Sequence, residues 1–253
     1  LVIIHNLLYF WIYYSRRLIN SITCLKLNSI KEKIYYWSPF LSPIATSKAV
    51  INSAASLMKY SSNYESNILN FFGEFDESKQ LINEKKIKLL GFYNFNITKK
   101  LPFKGFIKSR ISFILIFLLG FYPLKKFLKK NEPDFLIIHL ITSLPLLLLI
   151  FFNFKTKFIL RISGMPRMNI LRKLLWKIAL KKVYNVTCPT MNTLNYIKNL
   201  NIIEENKLKL LYDPILEIRK IVKKREERIL YKDYFLSVGR LSKQKNFIFL
   251  CKA

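Results

Sequence analysis

The sequence has few acidic residues for its size. Its 253 residues include 15 Asp and Glu against 43 Lys and Arg, which gives a formal net charge of +28. This balance favours an anionic partner, such as a phospholipid surface, nucleic acid or a phosphorylated substrate. Coding bias is a competing explanation, because Lys, Asn, Ile and Phe are all frequent.

Cysteine and the glycine-rich phosphate motifs are also scarce. The three cysteines, Cys24, Cys188 and Cys251, lie far apart, so neither a disulfide framework nor a zinc site is indicated, and a reducing cytosol fits. No dinucleotide glycine fingerprint follows the first predicted strand, and no P-loop, RNA-binding signature or internal repeat is present. A Rossmann dehydrogenase is therefore not expected.

Short apolar runs alternate with longer segments of helical character. Strands are predicted at residues 33–37, 67–71, 88–92, 135–140, 157–162, 185–187 and 207–212, and helices at 44–58, 107–128, 142–152, 169–182 and 191–200, the last capped by Thr190. This alternation is typical of βαβ units and predicts an α/β fold with a doubly wound parallel sheet.

Composition divides the chain into four segments. Residues 1–32 form an apolar N-terminal extension, and residues 33–214 form the Rossmann-like domain. Residues 215–233 are charged and predict a linker helix, and residues 234–253 begin a second domain.

The apolar run at residues 135–154 allows two interpretations. Twenty largely apolar residues can span a membrane, and the same run also fits a buried parallel strand followed by a buried helix. His139, Thr142, Ser143 and Pro145 lie in its middle, so we favour the strand, loop and helix. The run at residues 111–124 is too short to predict a second span.

The stretch Tyr234–Asn246 carries the first candidate site. It predicts a buried strand that ends at Gly239, followed by Arg240 and, in a basic loop, Lys245. Gly239 allows a sharp turn, Arg240 offers a planar fork for phosphate oxygens, and Lys245 adds a mobile charge. These features predict a diphosphate site, although such residues also occur by chance in a chain this basic.

Two other strand ends carry candidate residues. His139 follows the strand at residues 135–140, and Arg161, Ser163 and Gly164 end the strand at 157–162. The carboxyl ends of parallel strands form the usual ligand-binding edge of such a sheet. The alternatives are a core or loop histidine without a functional role and a strand-end arginine that faces solvent.

The segment Val238-Gly239-Arg240-Leu241 with Lys245-Asn246 resembles the motif that opens the donor domain of family 4 glycosyltransferases, which have the two-domain GT-B architecture. The resemblance implies that Arg240 and Lys245 hold the diphosphate of a sugar nucleotide. It implies that His139 is the catalytic-site histidine, bound to the sugar or acceptor. Arg161, Ser163, Gly164 and Ser42 are expected to contact phosphate or acceptor. Ser42 stands in a loop where many relatives have paired glycines.

The resemblance implies a retaining hexosyltransferase of class EC 2.4 that needs no cofactor or metal. The donor would be a nucleotide sugar and the acceptor a lipid-linked or polysaccharide glycan of the cell envelope. The enzyme would be cytoplasmic and peripheral at the inner face of the plasma membrane, bound to its anionic surface. The family's donor-binding glutamates would lie beyond Ala253, so we expect a truncated, inactive unit. The alternatives are a non-enzymatic membrane-anchored protein, with residues 135–154 as the span, and a nonspecific nucleic-acid binder.

Overall fold

The computed structural model describes residues 31–41, 45–98, 106–166, 168–214, 218–225, 235–239 and 246–252. The strands are β1 (Glu32–Trp37), β2 (Tyr64–Asn70), β3 (Lys88–Gly91), β4 (Phe135–Ile138), β5 (Lys157–Arg161), β6 (Asn185–Cys188) and β7 (Leu208–Leu210). The α-helices are α1 (Ala45–Tyr60), α2 (Lys79–Glu84), α3 (Phe106–Asn131), α4 (Ser143–Phe151), α5 (Ile170–Lys182), α6 (Met191–Asn199), α7 (Ile218–Arg225) and α8 (Phe247–Lys252).

The seven strands form one sheet in the order β3-β2-β1-β4-β5-β6-β7. Every pairing within it is parallel. The chain runs outward from β1 to β3, crosses back through α3 to β4, and then runs outward in the other direction. In open sheets of this kind, the ligand-binding crevice lies beyond the carboxyl ends of the strands at this reversal. The predicted doubly wound parallel α/β sheet is confirmed.

Two hydrophobic cores cover the two faces of the sheet. Helices α3, α4, α5 and α6 contribute to the larger core, which includes Leu136 and Ile138 of β4. Helices α1 and α2 contribute to the smaller core, against which Phe135 and Ile137 of the same strand pack. Strand β4 thus contributes apolar side chains to the cores on both faces of the sheet, because successive residues of a strand point in opposite directions.

The interpretation of residues 135–154 as a membrane span is wrong. Residues 135–138 pair in register with β1 on one side and β5 on the other, so they form a central strand. The helix that follows, α4, has only nine residues and buries five of them. The Thr190 cap is confirmed, since its hydroxyl accepts a hydrogen bond from the Thr193 amide.

Helix α3 is longer than the sequence pattern indicated. Its 26 residues cover the predicted helix at 107–128 and extend it by one residue at the start and three at the end. Within the part of the chain that the structure describes, residues 110–131 are the one helical segment that is long and apolar enough to cross a membrane, by length and composition only. A third of its most apolar window is buried in the protein.

Residues 216–253 form a second compact unit. The prediction of a buried strand at its start is wrong for residues 235–238, which have no strand pairing and are exposed, Phe235 completely. A strand needs a neighbour for its backbone hydrogen bonds, and no other strand exists among this unit's described residues. Helix α7 lies in the predicted linker segment.

Candidate functional site

A cavity of about 850 Å³ opens beyond the carboxyl ends of β4 and β5. It lies next to the reversal of strand order between β1 and β4, where open α/β sheets bind ligands. Its lining is mainly apolar, with a few polar and basic groups. Four of the predicted site residues, His139, Arg161, Ser163 and Gly164, line it together.

The sheet register places His139 and Arg161 side by side. Ile138 of β4 pairs with Leu160 of β5, so the next residue of each strand lies at the same level. The His139 amide donates a 2.9 Å hydrogen bond to the Trp37 carbonyl, which continues the ladder one residue past β4. The imidazole is therefore held by backbone that is fixed in the centre of the sheet.

The His139 side chain is buried, with 3% of its surface exposed. Its ring lies 6.2 Å from the Tyr36 ring, centroid to centroid. Among the residues that the structure describes, its Nε2 atom has no hydrogen-bond partner. A buried polar atom without a partner is uncommon in folded proteins, and here it adjoins a cavity that a ligand could fill.

Burial, with a smaller contribution from the neighbouring positive charge of Arg161, lowers the pKa of His139 to about 3. The imidazole is therefore neutral at physiological pH. A neutral imidazole has one donor and one acceptor nitrogen, which suits it to bind a hydroxyl group. With so low a pKa it accepts a proton poorly, which favours a hydrogen-bonding role over general base catalysis.

Arg161 is buried as well, and its guanidinium is already engaged. Its Nε and Nη2 atoms donate to Asp213 Oδ1 at 3.1 and 2.7 Å, and Nη2 also donates to the Tyr212 carbonyl at 3.1 Å. The solvent-facing alternative for this arginine is wrong. A phosphate or acidic ligand in the cavity would therefore meet an arginine that is already paired.

Sequence reasoning missed Asp213, the residue that directly follows the strand predicted at 207–212. Arg161 and Asp213 are 52 positions apart, so no local pattern links them. A signal did exist: Asp213 follows the last strand of a parallel sheet in a chain with only 15 acidic residues. An acidic side chain at that position lies at the same edge of the sheet as Arg161, which ends β5.

Ser163 and Gly164 follow β5 and are exposed at the cavity. A Cβ atom built on Gly164 would meet nothing within 4 Å. Packing therefore does not require glycine here, and the empty space belongs to the cavity. The short Ser163 side chain leaves the same region open.

The cavity also has walls that the sequence did not reveal. Phe113 and Leu171 come from helices α3 and α5, and Arg110 and Arg172 bring two further guanidinium groups to its lining. An apolar lining with several arginines suits a ligand that has both a hydrocarbon part and an anionic group. Only tertiary packing brings these helices to the strand ends.

The remaining predicted site residues are not among those that line the cavity. Ser42, Arg240 and Lys245 lie outside the described residues. Gly239 is described within the second unit, in an exposed bend. No cluster of three or more His, Cys, Asp or Glu side chains that could hold a metal ion occurs in the described ranges.

Neither a protein-family model nor a curated protein matches this sequence. Among solved structures, the chain is similar to a glycosyltransferase from Rickettsia africae (17% identity, TM-score 0.48), to the glycotransferase of kitacinnamycin (9%, 0.46) and to Medicago truncatula UGT71G1 solved with UDP-glucose (12%, 0.47). The alignments cover 78%, 73% and 89% of this chain, and 49%, 52% and 57% of those chains. The chain thus spans about half the length of these structures.

Proposed function

We propose that this chain is the acceptor-side half of a GT-B glycosyltransferase. The whole enzyme would be a retaining, family 4 hexosyltransferase that uses a nucleotide-diphosphate sugar as donor and needs no cofactor. Its acceptor would be a lipid-linked or polysaccharide glycan of the cell envelope, reached from the inner face of the plasma membrane. The observation that carries the proposal is the position of His139 and Arg161 at neighbouring strand ends in one cavity, next to the strand-order reversal.

In the proposed reaction, an acceptor hydroxyl forms a bond to the anomeric carbon while the bond from that carbon to the diphosphate breaks. The hydroxyl proton passes to the leaving diphosphate. Neutral His139 would hold the acceptor or sugar through its Nε2 atom, which has no partner among the described residues. Arg240 and Lys245, with the turn at Gly239, would hold the diphosphate, as the sequence resemblance implies.

Binding of an acceptor mimic tests the proposal without a complete donor site. Farnesyl phosphate, a short isoprenoid phosphate, and an oligosaccharide are titrated separately into the 253-residue protein by calorimetry. We expect one of them to bind, and His139→Ala to weaken it about tenfold, the effect of one lost hydrogen bond to a ligand. Tyr60→Ala, at an exposed aromatic residue that ends α1 and does not line the cavity, is the control and should bind like the wild type.

Two results would contradict the proposal. One is the absence of binding by both probes, and the other is binding that His139→Ala leaves unchanged. We expect residues 1–253 alone to show no turnover of nucleotide sugars, and measurable turnover would contradict the half-enzyme part of the proposal. Tight, salt-sensitive binding of duplex DNA would instead support the nucleic-acid alternative.

A further inference from the structure

Helix α3 exposes a continuous apolar surface. Besides Phe113, which lines the cavity, six large apolar side chains on it are exposed to solvent: Ile111, Ile114, Leu115, Leu118, Leu119 and Tyr122. At about 100° per residue, their positions fall within one side of the helix. Leu118 is 64% exposed and Ile114 58%, so these are outward-facing residues and not the margin of the core.

The opposite side of α3 packs against the larger hydrophobic core. Ile116, Leu124 and Leu128 are buried in the larger core. Gly120 faces α4 so closely that an added Cβ atom would lie 2.9 Å from Leu144 Cδ2. This packing favours contact of the exposed side of α3 with the surface of a bilayer over a crossing of the bilayer by α3 alone.

Four lysines follow the apolar residues along the helix: Lys125, Lys126, Lys129 and Lys130. The ammonium group of Lys125 lies 3.9 Å from the centre of the Phe152 ring. None of the ion pairs found among the described residues uses any of these lysines. Tyr122 stands between the apolar and basic parts, at the position that tyrosine prefers at a membrane boundary.

Helix α5 repeats the pattern on the same face of the sheet. Its exposed apolar residues Ile170, Leu171, Leu174 and Ile178 are interspersed with Lys173, Lys177 and Lys181. Both helices contribute to the larger core, whereas α4 between them in sequence is mostly buried. Exposed apolar residues with adjacent lysines are thus a property of this layer and not of one helix.

We propose that the exposed side of α3, from Ile111 to Lys130, docks this protein onto an anionic lipid bilayer. The apolar residues enter below the headgroups, and the lysines lie at the level of the lipid phosphates. The charges favour a bilayer over a second copy of the chain, since two such surfaces would bring lysines together in a molecule of net charge +28.

The docked helix also borders the candidate site. Arg110 and Phe113, near the start of α3, line the cavity that holds His139. A bilayer on α3 would therefore lie beside the cavity, where a lipid-linked acceptor can reach it. This last step rests on the proposed function, whereas the docking itself does not. A vesicle-binding assay, which needs no sugar transfer, separates the two.

The test measures co-sedimentation of the 253-residue protein with phosphatidylcholine vesicles, with and without phosphatidylglycerol. We expect binding that requires the anionic lipid. The double variant Lys126→Gln/Lys129→Gln should weaken it roughly 10- to 30-fold, as expected for two lysines near an anionic surface. Ile114→Gln/Leu118→Gln should weaken it at least as much, and should also reduce the residual binding at high salt.

Matched controls lie on the opposite face of the sheet. Leu81→Gln on α2 replaces an exposed leucine, and Lys48→Gln on α1 replaces an exposed lysine. Both should bind vesicles like the wild type, and circular dichroism melting should show that all variants fold. The proposal is overturned if the wild type ignores anionic vesicles or if the controls lose binding as strongly as the α3 variants. It is also overturned if light scattering shows a dimer that Ile114→Gln/Leu118→Gln abolishes.

Discussion

Arg161 and Asp213 form an ion pair at the lining of the cavity, and its contribution can be measured. The arginine side chain is 4% exposed and the aspartate 21%. Removing one partner of a buried pair leaves a charge without compensation and costs about 3–5 kcal/mol when the site is fully buried. The partial exposure of Asp213 moves the expected cost toward the lower end of that range.

We predict that Arg161→Leu lowers the free energy of unfolding by about 3 kcal/mol, measured by urea denaturation. Arg161→Lys should cost less, because it keeps the charge but loses the fork that reaches both Asp213 and Tyr212. Lys155→Leu breaks the exposed Lys155–Glu132 pair, of similar length, and should cost under about 1 kcal/mol. Equal losses for Arg161→Leu and Lys155→Leu would contradict this assignment.

The buried Glu74, which does not line the cavity, makes the stability of the fold depend on pH. Burial raises its pKa from 4.5 to about 7, with a smaller contribution from Asp76. Oε2 accepts a 2.7 Å hydrogen bond from the Phe72 amide, whereas Oε1 has no partner among the described residues. The folded protein thus holds a proton that the unfolded chain releases between pH 4.5 and 7, so this group's contribution to stability falls as pH rises through that window.

We expect Glu74→Gln to remove this contribution. The variant should gain melting temperature relative to the wild type as pH rises from 4.5 to 7, with no further gain above 7. The exposed Glu77→Gln in the same turn is the control and should follow the wild type. A constant difference between Glu74→Gln and wild type across this range would contradict the prediction. His139 changes stability in the opposite sense, so only the difference between variants is informative.

At the scale of elements, α3 approaches α4 closely at Gly120, where there is little room for a side chain. A Cβ atom on Gly120 would lie 2.9 Å from Leu144, 3.2 Å from Phe72 and 3.4 Å from Trp37. A small side chain could be accommodated by a shift of the Leu144 terminus. A large one would push α3 away from the sheet.

We predict that Gly120→Leu costs about 1–3 kcal/mol of unfolding free energy, the usual cost of overpacking a core. Gly91→Leu is the matched control, because a Cβ atom there meets nothing within 4 Å. Thermal and urea unfolding of both variants gives the comparison. If the two variants lose the same stability, the close approach of α3 is not the cause.

The elements that sequence reasoning identified are those with strong apolar runs. The core strand β4 and helices α4 to α6 lie within a few residues of their predicted bounds, because buried parallel strands and their covering helices have distinct lengths. The segment of Asp76–Ser78 and α2 was not predicted. Ile82 is its only buried residue, so it has no apolar period to detect.

At the scale of the molecule, the candidate site was partly predictable. The strand ends were visible in the sequence, and the parallel sheet brings His139, Arg161, Ser163 and Gly164 to one cavity. For the pairing of Arg161 with Asp213 the only signal was the place of an acidic residue after the last strand. The walls from α3 and α5 were not predictable, because only tertiary packing brings these helices to the strand ends. The predicted strand at 235–238 failed for a related reason, since an apolar run becomes a strand only where a neighbour pairs with it.

The Arg161–Asp213 pair also ties down the end of the first unit. Asp213 is tethered to β5, and the carbonyl of the next residue, Pro214, accepts a 2.8 Å hydrogen bond from Asn52 on α1. These two contacts, one to β5 and one to α1, thus fix the position of residues 213 and 214 at the end of the first unit. An anionic ligand that drew Arg161 away from Asp213 would break one of these two contacts. Occupancy of the cavity would therefore change how firmly residues 213 and 214 are held.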